Sequence, residues 1–225
     1  MNKENVILTD IDGVVLNWFY AFDIWMNEHG HKLADPTNLV YDVSEAYGID
    51  KATGKMLVRM FNESAHVGFL PPLRDAMHYM KKLHEEHGYV FHAITSLSDN
   101  PNAQKLRILN LQKLFGETLF EKFVILGCGD DKDEALEPYR DTECLWVEDK
   151  TENAELGVEL GLESVLMEHG FNMKHPTIPC VKNWKEIYEK LVGENVTKYP
   201  HTIYEVYLCV TLVSVSIITM QHYQL

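Results

Sequence analysis

The chain of 225 residues carries 20 Lys and Arg against 34 Asp and Glu, a formal net charge of -14, and 46% of its residues are hydrophobic. That length supports one medium α/β domain with a real core, and that charge excludes a nucleic-acid polymer as the main ligand, since no basic run is set aside to meet a polyanion. The cysteines at 128, 144, 180 and 209 form no CxxC pair, and MNKEN lacks a signal-peptide pattern, so reduced thiols and a cytoplasmic setting are expected.

In chain order, the apolar run NVILT predicts a first strand whose exit, DIDGVV, presents Asp10 and Asp12 before Gly13. The interval 17–70 has helical stretches and turn signals but no convincing strand, which predicts a small helical cap inserted after the first strand. Trp18, Phe22 and Trp25 recur there at helical spacing, as packing inside the cap or as faces for a nucleobase. Pro71 and Pro72 mark the return to the main domain, in the expected first turn of a helix. That helix, PLRDAMHYMKKLHEEHG, keeps Leu73, Met77, Met80, Leu83 and His84 on one face and stops at Gly88.

The strand GYVFHAIT then exits at Thr95 and Ser96, and the helix NAQKLRILNLQKLFG ends at Gly116. After the strand KFVILG, the segment GDDKDEAL offers Lys132 at a helix start, with Lys105 as its rival. The strand ECLWVE exits at Glu148 and Asp149; a helix from Thr151, its expected N-cap, runs to Gly161, followed by the strand ESVLM. Arg74 and Arg107 are read as ordinary surface residues, with contact to substrate anions as the alternative, and Asn153 and Asn172 as loop and cap residues. The helix NWKEIYEKLVGE closes a domain of residues 1–195, with core 1–16 and 71–195 and cap 17–70. Beyond it, VYLCVTLVSVSIITM is an apolar run of 15 residues, short of the roughly 20 that span a bilayer. A membrane anchor, an extra strand and a foreign C-terminus all remain open for residues 196–225.

Strands alternating with helices predict a parallel α/β sheet, and ligands of such sheets bind outside the carboxyl ends of the strands. Strand exits there supply carboxylates, a hydroxyl and an ammonium to one rim, and each suits phosphoryl transfer. Mg²⁺ takes hard oxygens, so Asp10 and Asp149 are the expected metal ligands. Asp10 is also the candidate nucleophile, forming an aspartyl-phosphate. Asp12, two residues on in extended chain, turns to the same side and can protonate the leaving oxygen and then activate water. Gly13 permits a tight turn that frees amides for the phosphate. Thr95, with Ser96 beside it, would hydrogen-bond a phosphoryl oxygen, and Lys132 would neutralise charge.

These motifs, DIDGVV, AITS, Lys132 and WVEDKTENAELGVELGL, resemble the four motifs of the haloacid dehalogenase superfamily of aspartate-nucleophile phosphohydrolases, over residues 5 to 170. The resemblance implies a Rossmann-like sheet with helices on both faces, Mg²⁺, a metal contact from the Asp12 backbone carbonyl and a direct ligand at Asp149. It implies that Glu148 sits one shell out, holding waters or Lys132; a Glu where paired aspartates are commoner leaves the division between Glu148 and Asp149 open. FLPPLRDAMHYMKKL, ITS and EDK are loosely similar to 5'(3')-deoxyribonucleotidases. The expected partner is a small phosphorylated metabolite, a nucleoside monophosphate first; the alternatives are a phosphomutase and a non-catalytic, membrane-tethered binding domain.

Overall fold

The structure is a computed structural model that describes residues 5–34, 40–173, 175 and 177–193. The apolar run expected as an anchor, strand or foreign terminus therefore lies outside the described residues, as does Cys209. Among the described residues no helix is long and apolar enough to cross a membrane. The chain divides into two compact units, Met1–Ile187 and Tyr188–Leu225, and of the second only residues 188–193 are described.

Six strands, β1 (Val6–Thr9), β2 (Val90–Ser96), β3 (Phe120–Leu126), β4 (Leu145–Glu148), β5 (Glu163–Met167) and β6 (Cys180–Val181), form one sheet in the order β3-β2-β1-β4-β5-β6. Every neighbouring pair is parallel, and Ile7 of β1 stands between Phe91 of β2 and Leu145 of β4. β1 and β4 are buried along their whole length. That explains why they read as continuous apolar runs rather than alternating ones: a parallel sheet covered by helices wets neither face of its central strands. Leu8, Ile94 and Trp146 share one core cluster in the middle of the sheet.

The helices are α1 (Trp18–Glu28), α2 (Val43–Tyr47), α3 (Lys51–Asn62), α4 (Ala76–His87), α5 (Pro101–Phe115), α6 (Asp133–Leu136), α7 (Thr151–Glu159) and α8 (Trp184–Val192). Local signals set most of their ends. Asp42 and Asp50 cap α2 and α3 with their carboxylates, Asn100 accepts from the amides of Asn102 and Ala103 ahead of α5, and Gly88 ends α4 in the left-handed conformation.

Three local expectations need correction. Pro71 and Pro72 lie before α4 rather than in its first turn: Pro72 bridges antiparallel to Leu16, Leu73 N–H donates to the Val15 carbonyl and Asn17 N–H donates to the Pro71 carbonyl, so the prolines run beside residues 15–17, just ahead of α1. Thr151 is the first residue of α7, whose cap position is Lys150, with no side-chain cap bond. β6 has no counterpart among the expected strands, because two residues carry no periodicity.

Between β1 and α4 the chain is helical, holding α1, α2, α3 and a 3₁₀ turn at Ala65–Phe69. Its aromatic rings pack on one another: Trp18 stacks on Phe22 at 4.5 Å, and Phe61 meets Phe22 edge-on at 5.3 Å and Trp25 at 5.8 Å. Phe22 and Phe61 are fully buried. Phe22 and Trp25 are thus packed inside the segment's own core, while Trp18 is half-buried. Asn62 ties the segment to the loop after β2, accepting from the Trp18 indole N–H at 2.8 Å and donating to the Leu97 carbonyl at 3.1 Å.

Candidate functional site

In this strand order the chain reverses direction across the sheet between β1 and β4, and the crevice at the carboxyl ends of those two strands is where such sheets bind ligands. The Asp10 amide donates to the Val147 carbonyl at 2.9 Å, so the two exits are held side by side. Asp10, Glu148 and Asp149 are all buried, and each offers an oxygen within 4.8 Å of the others.

Lys132, 2% exposed, enters this group from the start of α6: its Nζ lies 2.7 Å from Glu148 Oε2 and 3.1 Å from Asp10 Oδ2. Burial pulls its ammonium down, but Asp10 and Glu148 outweigh that and hold it above the usual lysine range. Lys105, its rival from the sequence, is exposed on α5.

Glu148 is fully engaged. Oε1 accepts from the Asp149 and Lys150 amides at 3.0 and 3.1 Å, and Oε2 accepts from Lys132 and, at 3.3 Å, from Asn153 Nδ2. Asp149 is held through its backbone: Asn172 donates to the Asp149 carbonyl at 2.6 Å and the Met167 carbonyl at 2.9 Å. Burial raises the Asp149 carboxyl well above the ordinary range, and the charges of Glu148 and Asp10 add to the rise.

Asp12 keeps 22% of its side chain accessible. Its carboxyl is pushed up to about 6 by burial, against the lowering by the Arg107 charge and with a further rise from Asp10. Gly13 has φ +76, and a Cβ there would sit 2.1 Å from Asp149 Oδ2, so the position takes only glycine for reasons of both space and conformation. The amide freed for phosphate is a correction: Gly13 N–H donates to the Leu16 carbonyl at 3.0 Å, and the amides of Val14, Val15 and Leu16 all turn back to Ile11. Thr95 is 1% exposed and its Oγ1 has no hydrogen-bond partner, an orphan donor of the kind that a ligand oxygen satisfies. Ser96 Oγ donates to the Asp130 carbonyl at 3.3 Å, which links the exit of β2 to the loop carrying Lys132.

The donor set fits a divalent cation. With all groups ionised, three buried carboxylates stand against one ammonium, and the rise at Asp149, set first by burial, is increased by the charges of Glu148 and Asp10. All the donors are carboxylate oxygens, the hard ligands that Mg²⁺ prefers over softer metals. With Glu148 taken up by Lys132 and backbone amides, Asp10 and Asp149 have the oxygens to give.

Several residues here were assigned no chemistry or a surface role from sequence. Arg107 is fully buried and contacts Asp12, contrary to its expected surface role. The signal was legible in its helix: Ala103, Arg107, Asn110 and Leu111 are the buried stripe of α5 at spacings of four, three and one. Asn153 and Asn172, expected in plain loop and cap roles, touch Glu148 and Asp149 as described above. Arg74 is exposed, as expected, and its guanidinium donates to the carbonyls of Glu168, at 2.6 Å, and Lys182 beyond β5 and β6. His169 Nε2 meets the Gly13 carbonyl at 2.7 Å and stacks on Phe171, which Tyr41 contacts edge-on at 5.1 Å. Tyr41 is 55% exposed. A cavity of about 520 Å³ opens beside the loop after β2, lined by Arg59 and Glu63 of the helical segment and by Ser98, Asp99 and Cys128.

No family model matches the chain. A curated relative from Enterobacteria phage T4, an uncharacterized 32.4 kDa protein of the Gp30-rIII intergenic region, is 30% identical over 130 residues, which are 56% of this chain and 45% of that protein. The match thus spans about half the length of that relative. A predicted phosphatase from Clostridium acetobutylicum superposes with a TM-score of 0.57 at 15% identity, covering 84% of this chain and 98% of that one. A haloacid dehalogenase-like hydrolase from Streptococcus pneumoniae gives 0.59 at 13%, covering 84% and 99%. D,D-heptose 1,7-bisphosphate phosphatase from B. bronchiseptica, complexed with magnesium and phosphate, gives 0.54 at 12%, covering 84% and 99%.

Proposed function

We propose that this chain, which has the haloacid dehalogenase fold, is a Mg²⁺-dependent phosphomonoester hydrolase of that superfamily working through an aspartyl-phosphate. One observation carries the reading: Asp10, Glu148 and Asp149 bring oxygens within 4.8 Å of one another with the Lys132 ammonium 3.1 Å from Asp10. A stability role alone explains this poorly, because buried ion clusters seldom stabilise more than apolar packing would.

Asp10 Oδ1 accepts the Ile11 amide at 2.7 Å while Oδ2 faces Lys132, so the carboxylate is held in one orientation. An Asp10 oxygen attacks phosphorus as the bond to the leaving oxygen breaks, and Asp12 gives that oxygen its proton. Asp12 then takes a proton from water as the water oxygen attacks phosphorus and the Asp10–phosphorus bond breaks, which returns both carboxyls to their starting forms. The orphan Thr95 hydroxyl donates to a phosphoryl oxygen, and Lys132 offsets charge on that group and on Asp10. Asp10 and Asp149, with the Asp12 carbonyl, would hold the divalent ion, which supplies positive charge to the phosphoryl oxygens. Glu148 holds Lys132 rather than the ion.

The segment 17–70 serves as the cap over this crevice, and the leaving group's body occupies the cavity beside Ser98 and Arg59. A nucleoside monophosphate ranks first as substrate, supported by the loose nucleotidase resemblance and by the exposed ring of Tyr41 against Phe171 in the field of the carboxylates. Among the described residues no disulfide joins Cys128, Cys144 and Cys180, which supports the reading of a reducing, cytoplasmic setting.

The test is magnesium-dependent release of phosphate from an aryl phosphate, followed by a panel of nucleotides and sugar phosphates. Asp10→Asn should lower turnover on the order of 10⁴-fold or more with the fold unchanged. Undiminished turnover by that variant overturns the reading.

A further inference from the structure

We infer that Arg107 is the positioning residue of the leaving-group acid, a role that rests on the phosphatase reading of Asp12. Arg107 is fully buried, yet two of its nitrogens reach the carboxylate of Asp12: Nη2 donates to Oδ2 at 3.1 Å, and Nη1 lies 2.8 Å from Oδ1 as a close ion pair. The second contact is off the hydrogen-bond direction, and Nη1 and Nε have no hydrogen-bond partner, so Asp12 is the one group that this guanidinium serves among the described residues.

The arrangement is costly for a structural pair. A guanidinium withdrawn completely from water with donors unspent is a poor stabiliser, and apolar packing would do as well at that place. It makes sense as a handle. Asp12 stands two residues from Asp10 and would otherwise be pushed about by that carboxylate, since like charges this close repel. A planar guanidinium that donates to one oxygen of a carboxylate and lies as a close ion pair against the other holds that carboxylate in place, which a lysine's point charge on a flexible stem does less well.

The fork itself is delivered by a rigid helix. Asn110, one turn beyond Arg107 on the same buried stripe of α5, donates to the Leu70 carbonyl at 3.0 Å, and Gln104 donates to the Ser98 carbonyl at 2.8 Å. Both ends of the turn that carries Arg107 are therefore pinned to the chain that returns from the helical segment and to the loop after β2. Substrate does not reach Arg107, because no part of it is accessible; it acts through Asp12.

Leaving groups that differ in their need for a proton separate this role from a structural one. For an alkyl phosphate, whose leaving alkoxide must be protonated, Arg107→Gln should lower kcat/KM roughly 100-fold. For 2,4-dinitrophenyl phosphate, whose leaving oxygen needs no proton, kcat/KM should fall less than about threefold, since it reports only the first displacement. Asp12→Asn should show the same split, Arg107→Gln should add nothing to it in the double variant, and Arg107→Lys should fall between. The neutral pair Asp12→Asn with Arg107→Gln also guards against misfolding, since it leaves no buried charge alone. Equal losses on both esters, or full additivity in the double variant, overturn the role of Arg107 while leaving the phosphatase reading intact. Release of phosphate from neither ester by the unmodified protein overturns both.

Discussion

At the carboxyl ends of β1 and β4 the chain buries Asp10, Glu148 and Asp149 with Lys132, and seats Asp12 on Arg107, whereas between β1 and α4 it buries Phe22, Trp25 and Phe61 against one another. The aromatic group gains from every contact, because removing apolar surface from water is favourable and the rings meet edge-on or stacked. The rim is held under opposition: four carboxylates against two cations leave two negative charges in a place poor in water. Regions that work against their own stability in this way are where chemistry is expected. If the contrast is right, substitutions at the rim should change activity and stability in separable ways, and substitutions in the aromatic group should change stability first.

The largest effect is expected where both meet. Lys132→Met leaves Asp10 and Glu148 buried without their cation, which should cost about 3–5 kcal/mol in denaturant unfolding and abolish phosphate release. Adding Glu148→Gln, which removes one of the two stranded charges, should recover part of the stability and none of the activity. Recovery of activity in the double variant would dissolve the distinction between the rim and an ordinary ion pair.

Phe61→Ala should cost nearly as much stability, about 3–5 kcal/mol, through the cavity it opens beneath Trp18, Phe22 and Trp25. Its kcat on a small aryl phosphate, measured on the folded fraction at low temperature, should stay within a few-fold of the unmodified protein. A collapse of kcat with stability intact would show that the rings shape the crevice rather than merely fill the segment.

How much of this was legible in the sequence follows from the same contrast. The strand exits could be read because β1, β2 and β4 are largely apolar runs that stop at polar residues, and parallel sheets put all those stops on one edge. Asp10, Glu148 and Asp149, which the structure brings together, were read that way, and Thr95 was proposed on the same ground. Arg107, Asn172 and His169 were not, because their partners lie 95, 23 and 156 residues away in the chain and reach the rim from a helix and a loop. Arg107 looked like a surface residue since the prior for arginine is exposure, although its place on the Ala103–Leu111 stripe spoke against it. Gly13 was correctly suspected of needing its φ, but which amides the turn leaves free depends on the carbonyl of Leu16, which no local pattern predicts.

A smaller effect, and one that isolates the rim, comes from the ion. Adding Mg²⁺ at 100 times its dissociation constant should stabilise the protein by about 2.7 kcal/mol. Asp149→Asn should abolish that gain while making the protein in chelator more stable than the unmodified chain, because one of the mutually repelling carboxylates is gone. A variant that is less stable in chelator and still gains from Mg²⁺ would mean that Asp149 is a structural hydrogen-bond acceptor and the ion binds elsewhere.

The smallest effect tests whether a buried polar group outside the rim follows the same logic. His92 in β2 is 6% exposed, with Nδ1 2.7 Å from the Tyr139 hydroxyl. Lys122 Nζ also reaches that hydroxyl, at 3.3 Å, and an ammonium only donates, so the hydroxyl accepts from Lys122 and gives its own hydrogen to His92 Nδ1. The ring proton then sits on Nε2, facing Glu121 at 3.8 Å. Burial pulls the imidazole below its ordinary value of 6.5, with Glu121 opposing and Lys122 assisting. A depressed pKa means that the folded state resists charging, so this group's contribution is present in full above pH 6.5 and is lost as pH falls through the lower folded value. Unfolding free energies of the unmodified protein and of His92→Gln, compared from pH 7.5 down to 5, should therefore converge on acidification, the variant losing less. Parallel curves would mean that the ring accepts its second proton inside the fold without penalty, and that opposition between burial and charge belongs to the rim alone.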